Sequence, residues 1–331
     1  MKISVDSVIF DKIPLLHSNF ILVENMTFKN QKAPELYDGL NEVFSMLRGH
    51  KSLDEHEKIV KYEKVLKELE LSHAEVSTRA MVELIVKKKK DLILKHPIID
   101  AYNFFSLQRL VPIGAYDLDR IAGDLVLRPS VSEDEFLKLG DKKPKAVDDS
   151  VVFADSQEVL CNNWVHKQSE NQKIRAGSKY ILFRIESLEE PDQNTLLLKD
   201  FQDHIAEFFD YDALQCLTLD ADNPSGQLSL SKQALARKER FLDYTDLLNR
   251  GVSDVIVKED LMERLINGDK LKIKHGVDPT TTDLHLGYAV NYEKMRAFQE
   301  KGHTIQFLIG SFTGRFGDPS DKLETRNMRD K

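Results

Sequence analysis

A strand, a loop and a helix follow one another in Lys272-Ile273-Lys274-His275-Gly276-Val277-Asp278-Pro279, Thr280-Thr281-Thr282-Asp283-Leu284 and His285-Leu286-Gly287-Tyr288. Apolar residues first alternate with lysine, Asp-Pro and threonines then interrupt the pattern, and helical spacing begins at once. The unpaired amides of a first helical turn attract anions, and a histidine there adds a further donor. A glycine leaves space for a flat ligand. The stretch therefore predicts a phosphate site.

The residues that follow complete a β-strand, α-helix, β-strand unit. Gly302 ends the helix, and the apolar residues from Thr304 to Ile309 predict a second buried strand. A crossover this short should be right-handed, with parallel strands. The glycine-rich segment Gly310 to Ser320 comes next, at a carboxyl strand end, where open α/β sheets bind ligands.

This part of the chain resembles the opening of the class I tyrosyl-tRNA synthetase catalytic domain. The motifs stand in the family's order: Gly276-x-Asp278-Pro279-Thr280, His285-Leu286-Gly287, Phe298-Gln299-x-x-Gly302-His303, Gly317-Asp318-Pro319-Ser320 and Glu324-Thr325-Arg326. The resemblance covers about residues 240–331 and implies the first βαβ part of a Rossmann-like class I synthetase fold.

The resemblance also implies roles for single residues. His285 and Thr280 are the expected catalytic residues, in contact with ATP phosphates. The expected nucleotide-binding residues lie around the same loop: Gly276, Asp278, Gly287 and Tyr288. Tyr288 stands where the family usually has a second histidine, and a phenol cannot bring positive charge to a developing oxyanion. The implied ligands are ATP with magnesium, tyrosine and tRNA, and the family is compatible with a homodimer of the full-length product.

In the family, some parts of the catalytic domain are formed by residues that would follow Lys331 in this numbering. These are the rest of the tyrosine pocket and the Lys-Met-Ser-Lys-Ser loop. A chain that ended here would leave the edge of a parallel sheet uncovered. We therefore expect a fragment of a longer product, or the product of a truncated gene.

Composition favours a globular protein of two or three domains. The chain has 331 residues, of which 41% are hydrophobic. No apolar run approaches a membrane span and no cleavable signal opens the sequence. Cys161 and Cys216 lack metal-ligand spacing, so we expect no metal site and a reduced, cytoplasmic location. The formal charge of -8 divides into +3 for residues 270–331 and -11 for the rest, which leaves room for a local basic surface.

The segments between residues 96 and 170 resemble the tRNA-editing domain of the phenylalanyl-tRNA synthetase β subunit and its free-standing bacterial relatives. They are His96-Pro97 to Asn103, Val111-Pro112 to Arg128, Val151 to Asp155, and Trp164 to Glu170. The resemblance extends over about the first two hundred residues. It implies an editing-type α/β domain that accepts the aminoacylated 3′ end of a tRNA, including a mischarged one, and hydrolyses the ester.

An aminoacyl ester is already activated, so its hydrolase needs mainly to hold the ester, orient water and stabilise an oxyanion. Polar or small residues at strand ends suit such a pocket: Asn103, Gly114, Asp117, Gln168, Ser169 and Glu170. We expect Glu170 to orient water or bind the substrate amine, and Asn103 to position a ribose or carbonyl oxygen. Gly114 occupies the position of a histidine in the bacterial β subunit.

Plainer roles compete with these assignments. Asp117 is more typical of a turn cap than of a catalyst, and an N-cap role suits Asn103 as well as a pocket role does. Trp164 is expected in the core and His166 on a solvated surface. Residues 168–170 also fit an ordinary loop.

A dense basic cluster provides the candidate tRNA contacts: Lys87, Lys88, Lys89, Lys90 and Lys95. Taken alone, the cluster is more typical of a solvent-exposed helix C-terminus, where the helix dipole favours positive charge. It becomes a tRNA surface if the surrounding domain handles tRNA.

The domain organisation predicted is an editing-type domain at 1–219, a linker at 220–226 and a synthetase segment at 227–331. The leading hypothesis is a tyrosine-tRNA ligase fused to a tRNA-binding or editing domain. A tyrosine pocket that hydrogen-bonds the phenol already rejects phenylalanine. The editing part would therefore act on another tRNA, for example one mischarged with tyrosine, or would have kept tRNA binding and lost hydrolysis. The alternatives are an aminoacyl-tRNA deacylase with a remnant synthetase segment and a non-catalytic tRNA-binding module.

Overall fold

The computed structural model describes residues 1–29, 34–49, 56–88, 96–277 and 286–310. The chain forms two compact units, Met1–Leu235 and Ala236–Lys331. Both mix helices with sheets, which confirms the predicted α/β fold class. No helix within the described ranges is long and apolar enough to cross a membrane.

The first unit carries most of the regular structure. Its described helices are α1 Ser7–Lys12, α2 Pro34–Gly49, α3 Glu57–Glu68, α4 Ser77–Val86, α5 Pro97–Arg109 and α6 Pro191–Phe208. Its described strands are β1 Lys2–Val5, β2 His17–Glu24, β3 Thr27–Phe28, β4 Ile113–Asp117, β5 Leu125–Pro129, β6 Glu135–Phe136, β7 Lys145–Ala146, β8 Val151–Ala154, β9 Val159–Asn162, β10 Lys167–Gln168, β11 Ile181–Ser187, β12 Phe209–Asp210, β13 Ala213–Leu219 and β14 Ser225–Gln227. A 3-10 turn follows β4 at Leu118–Arg120.

Two sheets organise this unit. One has the strand order β10-β9-β8-β5-β1-β14 and the other has the order β13-β2-β11-β4. Every residue of β2 and β11 is buried, because each strand has a neighbour on both sides and side chains packed on both faces. Continuous apolar runs such as Phe20 to Val23 are typical of strands in that position. Phe20 stacks on Phe153 with ring centroids 5.6 Å apart, which joins the two sheets in one core.

The first unit continues past the linker predicted at 220–226. The amide of Asn223 donates to the Asp220 carboxylate at 2.7 Å, which forms a turn rather than an open connection. The amide of Val5 donates to the Pro224 carbonyl at 2.8 Å, and β14 pairs antiparallel with β1. Leu228, which follows, is 2% exposed within the core. The boundary between the compact units therefore lies later in the chain, after Leu235.

Helix α7, Lys232–Asn249, crosses that boundary, and the second unit continues with α8 Lys258–Ile266, β15 Lys272–Val277, α9 Leu286–Glu300 and β16 Thr304–Ile309. Strands β15 and β16 are parallel, in register from Lys272 opposite Thr304 to Val277 opposite Ile309. The predicted order of strand, helix and strand is thus confirmed. The prediction that the second strand is buried is wrong, because Phe307, Leu308 and Ile309 are 52%, 49% and 71% exposed. Gly302 follows α9 with φ of +86°, a conformation that favours glycine.

The histidine of the Phe298 to His303 motif holds this small unit together. His303 is 3% exposed, and its Nδ1 accepts a hydrogen bond from the Leu271 amide at 3.0 Å. Since Nδ1 accepts, Nε2 carries the proton and donates to the Tyr244 hydroxyl at 2.8 Å. The imidazole therefore links α7 to the start of β15.

Candidate functional site

A cavity of about 200 Å³ lies in the first unit, between helices α4 and α5 and strands β4, β9, β10 and β11. It brings together three of the residues predicted for an editing pocket, which are Asn103, Gly114 and Gln168. Residues that the sequence did not single out for the pocket complete its polar lining: Tyr116, Cys161, His166, Lys167 and Arg184. Apolar side chains such as Met81 and Leu139 make up much of the remaining wall.

Gly114 keeps this cavity open. An added Cβ at this position would lie 3.0 Å from the Tyr116 hydroxyl, closer than side chains normally pack. In the antiparallel pair of β4 and β11, Gly114 lies opposite Arg184. Gly114 therefore leaves space beside a buried guanidinium group.

Arg184 belongs to a buried polar network. Its Nε pairs with the Glu186 carboxylate, and its Nη1 donates to the Trp164 carbonyl at 3.2 Å. Glu186 also accepts from Ser18 Oγ at 2.7 Å and from Trp164 Nε1 at 3.3 Å. The Arg184 guanidinium lies 4.7 Å from the centroid of the Phe153 ring. Among the described residues, its Nη2 has no hydrogen-bond partner. The predicted core position of Trp164 is confirmed, since its side chain is fully buried.

His166 lines the cavity and is half-buried, so the prediction of a solvated surface histidine is wrong. Its Nδ1 is hydrogen-bonded to the Glu75 carbonyl oxygen. A carbonyl oxygen only accepts, so Nδ1 must carry the proton and Nε2 keeps its lone pair. Burial, and next the charge of Lys167, lower the pKa of this imidazole below its ordinary value. At neutral pH the ring is therefore a base with a fixed tautomer.

Two further ionisable groups of the cavity, Cys161 and Tyr116, have raised pKa values, whereas the pKa of His166 is lowered. Burial raises the pKa of the Cys161 thiol and holds the pKa of the Tyr116 phenol well above its usual range. Both groups are therefore protonated at neutral pH, and Cys161 is not an activated nucleophile. The phenol remains a hydrogen-bond donor.

Asn103 and Gln168 offer amides from two sides of the cavity. Asn103 lies in the second turn of α5, whose N-cap is His96, so the competing N-cap interpretation of Asn103 is wrong. The His96 Nδ1 accepts from the Ile98 amide at 3.3 Å. Gln168 donates from Nε2 to the Ala115 carbonyl oxygen, which fixes its amide beside Gly114.

Asp117 has a structural role. It accepts from the Asp119 amide at 3.2 Å, which caps the 3-10 turn, and from Ser178 Oγ at 2.7 Å. Burial and the neighbouring charge of Asp119 raise the pKa of Asp117 to about 6. The plainer interpretation of Asp117 as a cap is therefore confirmed.

Ser169 and Glu170 organise the adjoining loop. Ser169 is 1% exposed, and its Oγ accepts from the Asn171 amide at 3.1 Å. The Glu170 carboxylate accepts from the Gly140 amide at 2.9 Å and pairs with Lys173. The water-orienting role expected of Glu170 is thus replaced in the described contacts by a loop-closing one.

The predicted tRNA cluster is only partly described. Lys89, Lys90 and Lys95 lie outside the described residues. Lys87 follows the end of α4 and forms an ion pair with Glu83 at 2.8 Å, one turn earlier in the helix. Part of its charge is therefore neutralised within its own helix.

Among the residues predicted for the nucleotide site, Asp278, Thr280 and His285 lie outside the described residues. Gly276 is in β15, and nothing lies within 4 Å of an added Cβ there. Gly287 and Tyr288 are in the first turn of α9, where Tyr288 stacks on Tyr292 with centroids 6.3 Å apart. A largely apolar cavity of about 640 Å³ opens beside Leu286 in the same turn.

The strand that precedes residues 278–285 and the helix that follows them are present as the sequence predicted. Within the described ranges, no cluster of His, Cys, Asp and Glu side chains could hold a metal ion.

Two family models match separate parts of the chain. Residues 69–194 match the B3/4 domain, and residues 267–331 match the class I tRNA synthetases described as W and Y. The composition expected from the sequence is thus confirmed: a B3/4 domain is followed by a class I synthetase segment.

The curated relatives match about a quarter of the chain. The tyrosine-tRNA ligase of Thermotoga maritima is 51% identical over 89 residues, which are 27% of this chain and 22% of that protein. The tyrosine-tRNA ligase of Deinococcus radiodurans is 52% identical over 84 residues, 25% of this chain and 20% of that protein. The chain therefore spans about a fifth of the length of these relatives.

One solved structure is similar over a larger share of the chain. It is an N-terminal fragment of the phenylalanyl-tRNA synthetase β subunit from Pyrococcus horikoshii, at 12% identity and a TM-score of 0.36. The match covers 80% of this chain and 73% of that chain.

Proposed function

We propose that the chain handles aminoacyl-tRNA with both units, and that the cavity of the first unit hydrolyses a wrongly formed aminoacyl ester. The observation that supports this most is the meeting of Asn103, Gly114 and Gln168 with the imidazole of His166 around one cavity. An ester hydrolase needs a held ester, a base for water and donors for an oxyanion. These residues supply each of the three.

In this proposal His166 is the general base. Its Nε2 accepts a proton from water as the water oxygen attacks the ester carbonyl carbon. The amide of Asn103 and the phenol of Tyr116 then donate to the developing oxyanion. When the bond between the carbonyl carbon and the ribose oxygen breaks, the imidazolium returns the proton to that ribose oxygen. The products are the free amino acid and an intact tRNA 3′ end.

The second unit is proposed to belong to an ATP-dependent tyrosine-tRNA ligase. The support is the identity to tyrosine-tRNA ligases and the parallel β15, α9 and β16 arrangement. His285 and Thr280 would contact the ATP phosphates, and magnesium would accompany the nucleotide. The remaining nucleotide contacts are proposed for Gly276, Asp278, Gly287 and Tyr288. The exposed first turn of α9 and the space at Gly276 fit a nucleotide approaching that edge.

The test of the hydrolase is the loss of ester from tyrosylated tRNAs, cognate and mischarged, incubated with the chain in the absence of ATP. We expect first-order release of tyrosine from a mischarged tRNA. Asn103→Ala should slow this release by about 10²- to 10³-fold, the usual effect of removing one oxyanion donor. Glu70→Gln is a suitable control, because Glu70 pairs only with exposed Lys12 among the contacts described for it.

The competing function, a non-catalytic tRNA-binding module, predicts a different result. The tRNA would bind, and the ester would decay at the same rate with and without the chain. That result, obtained with tRNAs carrying several different amino acids, would contradict the hydrolase proposal.

A further inference from the structure

Two lysines from different segments meet beside the cavity. The segment from Leu137 to Gly140 runs along β10 and the residues after it. The Leu139 amide donates to the Gln168 carbonyl at 3.0 Å, and the Glu170 amide donates to the Leu137 carbonyl at 2.9 Å. A β-bridge places Lys138 opposite Ser169. Lys138 is exposed next to Lys167, which lines the cavity.

Two of the nearby carboxylates pair with other groups, and a third, Glu75, acts on Lys167. Glu170 pairs with Lys173 and the Gly140 amide, and Asp141 pairs with Lys145 at 3.2 Å. Glu75 lies within electrostatic range of Lys167. Burial, and next the charge of Lys138, lower the pKa of Lys167. A nearby like charge disfavours the charged form of an ammonium group. Two like charges held together are stabilised when an anion lies between them.

Two further lysines follow the turn that the Asp141 amide closes on the Lys138 carbonyl at 2.8 Å. Lys142 and Lys143 are both exposed there. Leu139 lines the cavity beside Lys167 and is 47% exposed, so the cavity wall also offers an apolar side chain to solvent. A second cavity, of about 440 Å³, has the opposite character, because Glu133, Asp155 and Glu158 contribute to its wall. The two cavities of this unit therefore differ in the sign of the charge around them.

We propose that Lys138, Lys142, Lys143 and Lys167 form a lysine rim that binds backbone phosphates of a single-stranded RNA 3′ end, whose last residue enters the cavity. The proposal rests on the proposed function, since it uses the same cavity. Lysine is a point-charge partner for phosphate, and Leu139 offers an apolar surface to a base. This places the tRNA contact at the cavity rather than on the Lys87 to Lys95 cluster.

The test is equilibrium binding of an uncharged tRNA to the full chain at several potassium chloride concentrations. The double variant Lys138→Gln, Lys143→Gln should bind on the order of tenfold more weakly than the wild type. The slope of log affinity against log salt should fall by roughly 0.7 for each phosphate contact that is lost from a single strand. The matched control is Lys87→Gln with Lys88→Gln, which removes the same charge from the end of α4 and should leave binding near the wild-type level.

A charge-retaining pair separates the role of charge from that of folding. Lys138→Arg with Lys143→Arg should restore binding to within about twofold of the wild type. The proposal is overturned if both glutamine pairs weaken binding equally, or if neither does. If the wild type hydrolyses the ester while the rim variants bind tRNA normally, the proposed lysine rim is contradicted and the proposed hydrolase activity is supported. If the wild type neither binds tRNA nor hydrolyses the ester, both proposals fail.

Discussion

His166 illustrates how one hydrogen bond determines what a side chain can do. Its Nδ1 proton is held by the Glu75 carbonyl oxygen, so Nε2 is the nitrogen with a lone pair. Burial and Lys167 keep the ring neutral at physiological pH. An imidazole is therefore present in the cavity wall as a neutral acceptor.

The pH dependence of hydrolysis should report on this imidazole. A general base must be unprotonated, and the pKa of His166 lies below the ordinary imidazole value of about 6.5. The catalysed rate, corrected for spontaneous ester decay, should be level above neutrality and fall in more acidic solution. His166→Asn should lower the level rate by about 10²- to 10⁴-fold and remove the inflection. A profile identical to that of the wild type would show that His166 is not the base.

Lys167→Gln tests the same assignment without removing the imidazole. Loss of the neighbouring positive charge should raise the pKa of His166 and move the inflection toward higher pH. The measurement is made at saturating tRNA, so that weaker binding does not alter the profile. An unmoved inflection would mean that another group titrates.

Strand β11 shows why this part of the cavity was hard to predict. Its sequence, Ile181 to Ser187, reads as a buried apolar strand, and it is one. Arg184 and Glu186 interrupt the apolar run, which is the signal that could have indicated a buried ion pair. Their meeting with Trp164 and Ser18 depends on residues far apart in the chain. Local periodicity gives the strand, and long-range packing gives the network.

Strand β14 is a second element whose position could not be predicted from the sequence. The turn residues at 220–226 resemble a linker, but their partners on β1 lie more than two hundred residues earlier. No local pattern reveals such pairing. In contrast, β15, α9 and β16 were predictable, because the apolar spacing and Gly302 act locally. Asn103 and Gln168 were predicted as polar residues at strand ends and Gly114 from the resemblance, and the structure places all three around one cavity.

Glu186→Ala should strongly destabilise the first unit, because it removes the ion-pair partner of Arg184. The Arg184 side chain is only 2% exposed, so water cannot replace that partner. Removing one partner of a buried ion pair typically costs about 3 to 5 kcal/mol of unfolding free energy. Urea unfolding followed by Trp164 emission measures this directly, since Trp164 is the single tryptophan of the chain. Ser18→Ala removes one hydrogen bond to Glu186 and should cost only about 1 kcal/mol. Equal losses for the two variants would contradict the network described.

Leu228→Ala tests the extent of the first unit. Leu228 is 2% exposed, so its truncation should lower the unfolding free energy of this unit by about 2 to 5 kcal/mol. Leu235→Ala is the matched control, because Leu235 is 47% exposed and its loss should change little. The same urea experiment applies. If Leu228→Ala has no effect on the Trp164 transition, the segment after residue 219 does not belong to that core.

The whole chain combines two units with different relations to tRNA chemistry. The first carries a B3/4 domain, whose cavity we propose to hold an aminoacyl ester, and the second carries a class I synthetase segment. The net charge of -8 would suggest a protein that avoids nucleic acid. The lysine rim shows how a local positive surface can exist within an acidic total, since screening limits exposed charges to short range.

The central claim is that the cavity of the first unit receives the aminoacyl end of a tRNA. Its most direct test is calorimetric binding of a stable amide analogue of 3′-tyrosyl-adenosine to the wild type, to Ser77→Trp and to Ser45→Trp. Ser77 lines the cavity, so an indole there should fill it, whereas Ser45 is exposed on α2. We predict one bound analogue per chain for the wild type and Ser45→Trp, and none for Ser77→Trp. No binding to the wild type, or equal binding to all three, would contradict the account.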